Sequence, residues 1–373
     1  MEALRVLLCE PYFGGSHRAW AEGLATHSAH DVRLVTHAGR FWRWRMQGAA
    51  LTLARDLEQA AADYQPHVLL VSGMVHAAAL LGLARRALAG VPVVLFLHEN
   101  QLTYPVSETR PDDLTYAMTN WLSMAASDAV VFNSEFHRRE LFGALSPLLG
   151  SLPDHRHLAE VDAVAQRCSV LPVGIDGLRL AAAERPVRPP DASPLLLWNH
   201  RWEHDKAPED AVDAVDRLLA RDLDVRVALA GWRPPTEPPL LAEIRHRWGD
   251  RLIHDGHLER PDYERLLLEA DVALSTARHD FFGVAMAEAM AAGAVPVAPA
   301  ALNYPDLVPE WAHDRCLYAN ADELDARLTT VLRDPGERRR LADRLRPAVA
   351  RRFDWSVVAP QYDALLAEVV HHH

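Results

Sequence analysis

Three cysteines in 373 residues leave little room for a covalent or metal framework. Cys9, Cys168 and Cys316 lie far apart and form no CxxC pair, which argues against a disulfide scaffold and against zinc. The 20 histidines are scattered, with no HxxxH, HExxH or His/Cys cluster, so no metal site is expected. No apolar run approaches the roughly 18 residues of a membrane span. The opening MEALRVLLCEPYFGG lacks the basic region, apolar stretch and small-residue cleavage site of a signal peptide. Together these absences predict a soluble cytoplasmic protein with no membrane contact. Positive charge is also short: the formal net charge is -12, which argues against nucleic acid as a partner except through a local basic patch. No polar tract is long enough for a disordered tail. The closing His371, His372 and His373 read as tag residues.

What the chain does contain is a repeated alternation. Half of it is apolar (49%) and the length suits two domains. Short apolar runs at Leu4–Cys9, Val32–Thr36, Val68–Ser72, Val91–Leu97, Ala129–Phe132 and Ser169–Leu171 alternate with segments of helical period such as Val75–Ala89. Such alternation predicts βαβ units around a buried parallel sheet. A proline-rich stretch, Arg185 to Pro194, reads as an extended linker. The pattern then restarts at Leu195–Trp198, Val225–Ala230, Leu252–His254, Val272–Ser275 and Ala294–Val297, and ends in a helical, Arg-rich Pro335–Ala367. In doubly wound sheets ligands sit at the carboxyl ends of strands, so the residues just after each run carry the chemistry.

The first strand runs into Glu10-Pro11-Tyr12-Phe13-Gly14-Gly15-Ser16-His17. Gly14 and Gly15 let the backbone approach a ligand, and the following helix aims its positive end at an anion. A plain tight turn with Ser16 as an ordinary N-cap fits the same residues. The GK[ST] of a P-loop is missing. His98-Glu99-Asn100 closes the run VVLFL, and His98 is a candidate donor contact or a core histidine.

After Leu195–Trp198 comes His200-Arg201-Trp202-Glu203-His204-Asp205-Lys206. The fork of Arg201 and the ammonium of Lys206 suit a diphosphate; a solvated turn with an Arg–Glu pair is the bland alternative. From Ser275 to Gly293 a strand end, a loop and a helix starting near Val284 are expected. Gly283 and Val284, next to Phe282, can offer bare N–H groups to a phosphate. Asp280 in the loop and Glu288 one turn into the helix make sense beside a diphosphate if they bind sugar hydroxyls. Helix capping by Asp280 and a surface salt bridge for Glu288 would explain them equally.

Arg40-Phe41-Trp42-Arg43-Trp44-Arg45 interleaves three arginines with three aromatics. Arginine pairs with phosphate, and Trp or Arg planes stack on splayed bases. A buried aromatic cluster covered by arginine stems is the alternative.

Arg201 and Lys206, then Asp280-x-Phe282-Gly283 with Glu288 eight positions after Asp280, resemble the donor-site signature of retaining glycosyltransferase family 4, which has the GT-B fold. Leu171-Pro172-Val173-Gly174-Ile175-Asp176 is similar to the family's usual end of the N-terminal domain, and Phe353-Asp354-Trp355-Ser356 to its final helix. Asp280 stands where the family usually has Glu, which keeps the charge and shortens the reach. A narrower resemblance covers nearly the whole chain. Phe13-Gly14-Gly15-Ser16-His17, Trp42-Arg43-Trp44-Arg45, His98-Glu99-Asn100-Gln101-Leu102-x-Tyr104-Pro105, Pro153-Asp154-His155-Arg156, the 200–206 motif and Phe281-Phe282-Gly283-Val284-Ala285-Met286 together resemble the tRNA-queuosine mannosyltransferases. That family moves mannose from GDP-mannose onto the cyclopentenediol of queuosine in the anticodon of aspartate tRNA.

The resemblance implies an α/β protein of GT-B fold, with two Rossmann-like doubly wound domains facing across a cleft. Residues 1–178 would bind the acceptor and 195–355 the nucleotide sugar. Residues 179–194 would link them, and 356–370 would form a helix crossing back to the first domain. It implies catalysis by His98, Arg201, Lys206 and Asp280, with no cofactor and no metal. Donor contacts would come from Gly14, Gly15, Ser16, Arg201, Lys206, Asp280, Phe282, Gly283, Val284 and Glu288. Glu288 would hold the ribose, and Asp280 and His98 the hexose. Acceptor contacts would come from His17, Arg40, Arg43, Arg45, Glu99 and Asn100. The competing functions are a family 4 enzyme with another nucleotide sugar or a small-molecule, lipid or polysaccharide acceptor, a GT-B epimerase or phosphorylase, and a catalytically silent tRNA-binding protein.

Overall fold

The computed structural model describes residues 2–105, 114–187, 189, 192–234 and 236–373. The chain divides into two compact units: residues up to Gly174 together with Trp355–His373, and Ile175–Asp354.

The first unit is built on β1 (Arg5–Phe13), β2 (Asp31–Ala38), β3 (Val68–Ser72), β4 (Val93–Leu97), β5 (Ala129–Phe132) and β6 (Cys168–Val170). Every pairing is parallel and the order is β2-β1-β3-β4-β5-β6. β3, β4 and β5 are buried at every residue, which is why they read as unbroken apolar runs rather than alternating ones. The helix Trp42–Tyr64 buries Met46, Ala49, Ala50, Leu53, Ala54, Leu57 and Ala61 at helical spacing. Most of these join Leu7, Cys9, Leu69 and Val71 of the sheet in one core.

The last helix, Trp355–His372, belongs to this unit. Trp20 Nε1 donates to the Tyr362 hydroxyl at 3.2 Å, which donates to the Pro172 carbonyl at 3.1 Å. A Cβ on Gly23 or Gly174 would lie 2.3–2.4 Å from the Trp355 ring, so only glycine leaves room for that indole.

The second unit holds β7 (Leu195–Trp198), β8 (Arg226–Ala230), β9 (Leu252–Gly256), β10 (Val272–Leu274), β11 (Val295–Pro299) and β12 (Leu317–Tyr318) in the parallel order β12-β11-β10-β7-β8-β9. Strand order reverses between β1 and β3 in one unit and between β7 and β10 in the other. At those switch points neighbouring connections part and leave a crevice at the carboxyl ends.

Several boundaries differ from the sequence expectation. β1 continues to Phe13, with an irregular register between Glu10 and Phe13. β12 has two residues and carries no periodic signal. Of Val75–Ala89 only Ala77–Leu83 is helical. Pro335–Ala367 is two helices, Pro335–Phe353 and Trp355–His372, broken at an extended Asp354 whose carboxylate accepts the Leu178 N–H at 2.8 Å. Gly177–Ala182 is a helix, and Arg185 ties its chain to the carbonyls of Leu268, Ala270 and Gly293. Of the stretch 179–194, residues 188, 190 and 191 lie outside the described residues.

Candidate active site

At the switch point of the second unit, the segments after β7 and β10 meet. One 3₁₀ turn, His204–Lys206, places the Lys206 ammonium in a buried position. It donates to the His279 carbonyl at 2.6 Å and lies 3.3 Å from Asp205 and 3.5 Å from Asp280. Thr276 holds the turn by donating to the Lys206 and Ala207 carbonyls, each at 3.0 Å. Lys206 is the only lysine in a chain with 39 basic residues. That singular choice fits the site, since Lys is a compact point charge that enters where a planar guanidinium does not.

Asp280 accepts the Phe282 N–H at 3.3 Å and the Tyr304 hydroxyl at 3.3 Å. Burial pushes its carboxyl up, but the Lys206 ammonium, the Phe282 N–H and the facing imidazoles together hold it below the usual range. Asp280 therefore does not cap the next helix. That helix, Val284–Ala292, starts at Gly283, whose φ of 92° falls in the left-handed region, and has no side-chain cap. Its first N–H groups are thus not taken by a side chain. Phe282 is buried with its ring edge against Phe353, 5.4 Å between centroids.

Glu288 is buried, not on the surface, and pairs with Arg260 at 2.5 Å. Arg260 also pairs with Glu264, which binds Arg179. Burial raises the Glu288 carboxyl above its ordinary value, against the opposing pull of Arg260. Arg201 is exposed and pairs with Glu203 at 3.0 Å, the local pair that its spacing allowed. His200 and His279 are neutral: burial and then the Lys206 charge push both imidazoles down to about 4.

In the first unit Gly14 is the N-cap of Gly15–His27 and Gly15 has φ 52°. Ser16 is exposed inside the helix and is not the cap. A Cβ on Gly39 would lie 2.9 Å from the Gly14 Cα, so two backbones touch where β1 and β2 end. Glu10, which heads the stretch after the first apolar run but carries no role in the sequence reading, is the buried centre of this site. Its Oε1 accepts the Tyr12 N–H at 2.8 Å and faces His17 Nδ1 at 3.3 Å, while Oε2 lies 3.3 Å from His98 Nε2. The two imidazoles are close but tilted by 32°, 3.9 Å between centroids, and Trp20 and Phe96 wall His98. Burial would raise the Glu10 carboxyl, yet the facing imidazoles hold it well below its usual range. Burial pushes His98 down to about 4.

The expectation that no histidines cluster is corrected here. Ligand atoms of Glu10, His17 and His98 all lie within 4.8 Å of one another, and these are the residues that could hold an ion. Glu10 comes from β1, His17 from the helix Gly15–His27 and His98 from the end of β4, so no single local spacing reveals the group. Glu99 and Asn100 differ in setting. Glu99 is half-buried and accepts from Gln101 at 3.0 Å, whereas Asn100 is fully buried and accepts the Leu102 and Thr103 N–H groups, which fixes the loop.

Trp42 is half-buried against Tyr116, 5.3 Å between centroids, and Arg43 stands over its ring at 4.4 Å. Phe41 and Trp44 are exposed, so the buried-cluster alternative fails for them. Arg40 and Arg43 are exposed, and Arg45 donates to the Ala38 carbonyl at 3.1 Å.

Comparison with known proteins gives concordant findings. A family model described as tRNA-queuosine alpha-mannosyltransferase N-terminal matches residues 5–175, and one described as glycosyl transferases group 1 matches 182–346. A tRNA-queuosine alpha-mannosyltransferase of Drosophila melanogaster is 34% identical over 337 residues, covering 88% of this chain and 87% of that protein. A glycogen synthase of Mycobacterium tuberculosis is 27% identical over 245 residues, 65% of this chain and 55% of its own. Sucrose-phosphate synthase from Thermosynechococcus elongatus superposes with a TM-score of 0.74 at 18% identity, covering 99% of this chain and all of that one. HepE from Anabaena, in complex with UDP and glucose, superposes at 0.68 and 17% identity over 98% of this chain and all of that one. These likenesses show the GT-B fold.

Proposed function

Because this chain belongs to the tRNA-queuosine alpha-mannosyltransferase family, and so is a glycosyltransferase, we propose that it transfers mannose from GDP-mannose to the cyclopentenediol of queuosine in aspartate tRNA. The observation that carries this most is the 34% identity sustained over both units. Support from the geometry is the buried Lys206 between Asp205 and Asp280, next to the uncapped helix that starts at Gly283.

In this mechanism the donor diphosphate takes the Lys206 ammonium, the Arg201 guanidinium and the Gly283 and Val284 N–H groups. These charges replace a divalent ion at the leaving group. Asp280 and His98 bind mannose hydroxyls and Glu288 the ribose. A neutral His98 can donate or accept one hydrogen bond, which suits a hydroxyl. The acceptor hydroxyl oxygen then bonds to the anomeric carbon as the bond from that carbon to the phosphate oxygen breaks. The hydroxyl proton passes to the departing phosphate oxygen on the same face, so configuration is retained and no enzymatic nucleophile is needed. GDP and mannosyl-queuosine tRNA leave. No described helix is long and apolar enough to cross a membrane, and we place the reaction in the cytoplasm.

The test uses labelled GDP-mannose with two tRNA pools, one from cells that make queuosine and one from cells that do not. Label should enter the first pool alone and reside in aspartate tRNA. Equal labelling of both, or none in either when the donor demonstrably binds, would refute the acceptor assignment.

A further inference from the structure

We propose that Trp44 is a stacking platform for an unpaired base of the RNA acceptor, and that Gly48 is the floor holding its ring in position. The proposal rests on the tRNA acceptor assigned above and adds the side chain that grips a base rather than a phosphate.

Trp44 lies in the first turn of the helix Trp42–Tyr64 and is 61% exposed; Phe41, just before it, is 75% exposed. Neither ring contributes much to the core, whereas Met46 and Ala49 on the same helix are buried. Phe41 and Trp44 expose two large rings three positions apart among arginines, the kind of polar-rimmed apolar patch that marks an interaction site. Trp44 is held: a Cβ added to Gly48 would lie 2.7–2.9 Å from three atoms of its ring. The indole therefore rests over the helix at Gly48, one turn on, and much of it faces solvent. Any larger residue at 48 displaces it.

Phe41 is the helix N-cap and has φ 55°, a left-handed conformation that bulky residues adopt only under constraint. Gly39 packs on Gly14, which sets this segment beside the turn that carries His17.

Charge decides the occupant. From Val32 to Arg55 there are five arginines and no acidic residue, in a chain of net charge -12. Among the described residues neither Arg40 nor Arg43 pairs with a carboxylate, and Arg43 stands over Trp42. An apolar protein partner would call for contiguous aliphatic surface. Exposed rings interleaved with guanidinium groups match instead a partner made of π-faces and phosphates, and stacking needs bases that are not paired in a duplex. An anticodon loop supplies both.

The test measures binding of queuosine-containing tRNA by fluorescence anisotropy at several salt concentrations. Trp44→Ala should raise Kd by about five- to 150-fold, the range of one lost base stack, with the salt slope unchanged. Trp44→Phe should recover part of the loss. Gly48→Ala should weaken binding in the same direction although Ala favours the helix, because the ring survives and only its seat is lost. Arg43→Ala should reduce the salt slope by about one, the mark of a phosphate contact. In all four variants GDP should raise the melting temperature as in the parent. Normal tRNA binding by Trp44→Ala, beside weakened binding by Arg43→Ala, would overturn the platform and leave the tRNA acceptor standing. Loss of the GDP response in Trp44→Ala would put the ring in the donor site and overturn it too. No binding of tRNA by the parent would defeat both claims.

Discussion

Replacing Lys206 by Met keeps the side-chain stem and removes the one side-chain ammonium in the chain. The structure predicts two separable losses. The first is stability, because Asp205 and Asp280 lie 3.3 and 3.5 Å from that charge and are mostly buried. Breaking a buried pair by removing one partner costs about 3–5 kcal/mol. For a unit of this size each kcal/mol moves the transition by roughly 2–4 °C, so the second unit should melt roughly 6–20 °C lower. Asp280→Asn added to Lys206→Met should recover at least about 0.5 kcal/mol of this, since it removes one of the stranded charges. The second loss is donor binding. GDP at about 100 times its Kd stabilises the parent by about 2.7 kcal/mol, and Lys206→Met should forfeit most of that shift. Differential scanning calorimetry with and without GDP reads both. Because Lys206 is the only lysine, reductive methylation with labelled formaldehyde gives one side-chain signal, which GDP should move in an NMR spectrum. An unchanged melting temperature would refute the ion cluster, and an unchanged GDP shift would refute the diphosphate role.

Acid should destabilise the fold through His98, His200 and His279, whose imidazoles are pushed down to about 4 by burial. Their folded values lie below the unfolded value of about 6.5, so the unfolded chain takes up protons first as pH falls. Stability is then full above pH 6.5 and declines toward pH 4, by up to about 1.4 kcal/mol per pH unit for each. His200→Gln should flatten the profile, and a melting temperature constant from pH 7 to 5 would contradict it. Glu10→Gln preserves size but removes the charge facing both imidazoles; kcat should drop at least about tenfold, roughly 1.4 kcal/mol, with little change in KM for GDP-mannose. Normal kcat would make Glu10 a packing residue only. Activity should survive excess EDTA. Loss that magnesium, manganese or zinc restores would refute the metal-free mechanism and point to Glu10, His17 and His98 as the ligands.

Much of the second site was legible in the sequence because a βα unit is local. Strand, loop and helix follow one another from Val272 to Ala292, so Asp280, Gly283 and Glu288 could be ordered by spacing alone. The aromatic and arginine run after β2 was visible for the same reason, as was the alternation that sets both sheets. Partner choice was not visible. Glu288 and Asp280 looked equally suited to a surface pair and a helix cap, and only the fold gives them Arg260 and Lys206.

Composition and periodicity determined the α/β class and where most strands lie, though not the end of β1 or the short β12, since each depends on a few neighbouring side chains. Tertiary structure decided what those residues meet. Parallel strands pair only through crossovers, so β4 brings His98 to Glu10 and β10 brings Asp280 to Lys206 over separations that no short spacing encodes. It also decided which of Phe41, Trp42 and Trp44 packs inward: helix direction turns Trp42 toward Tyr116 and leaves Trp44 over Gly48 in solvent.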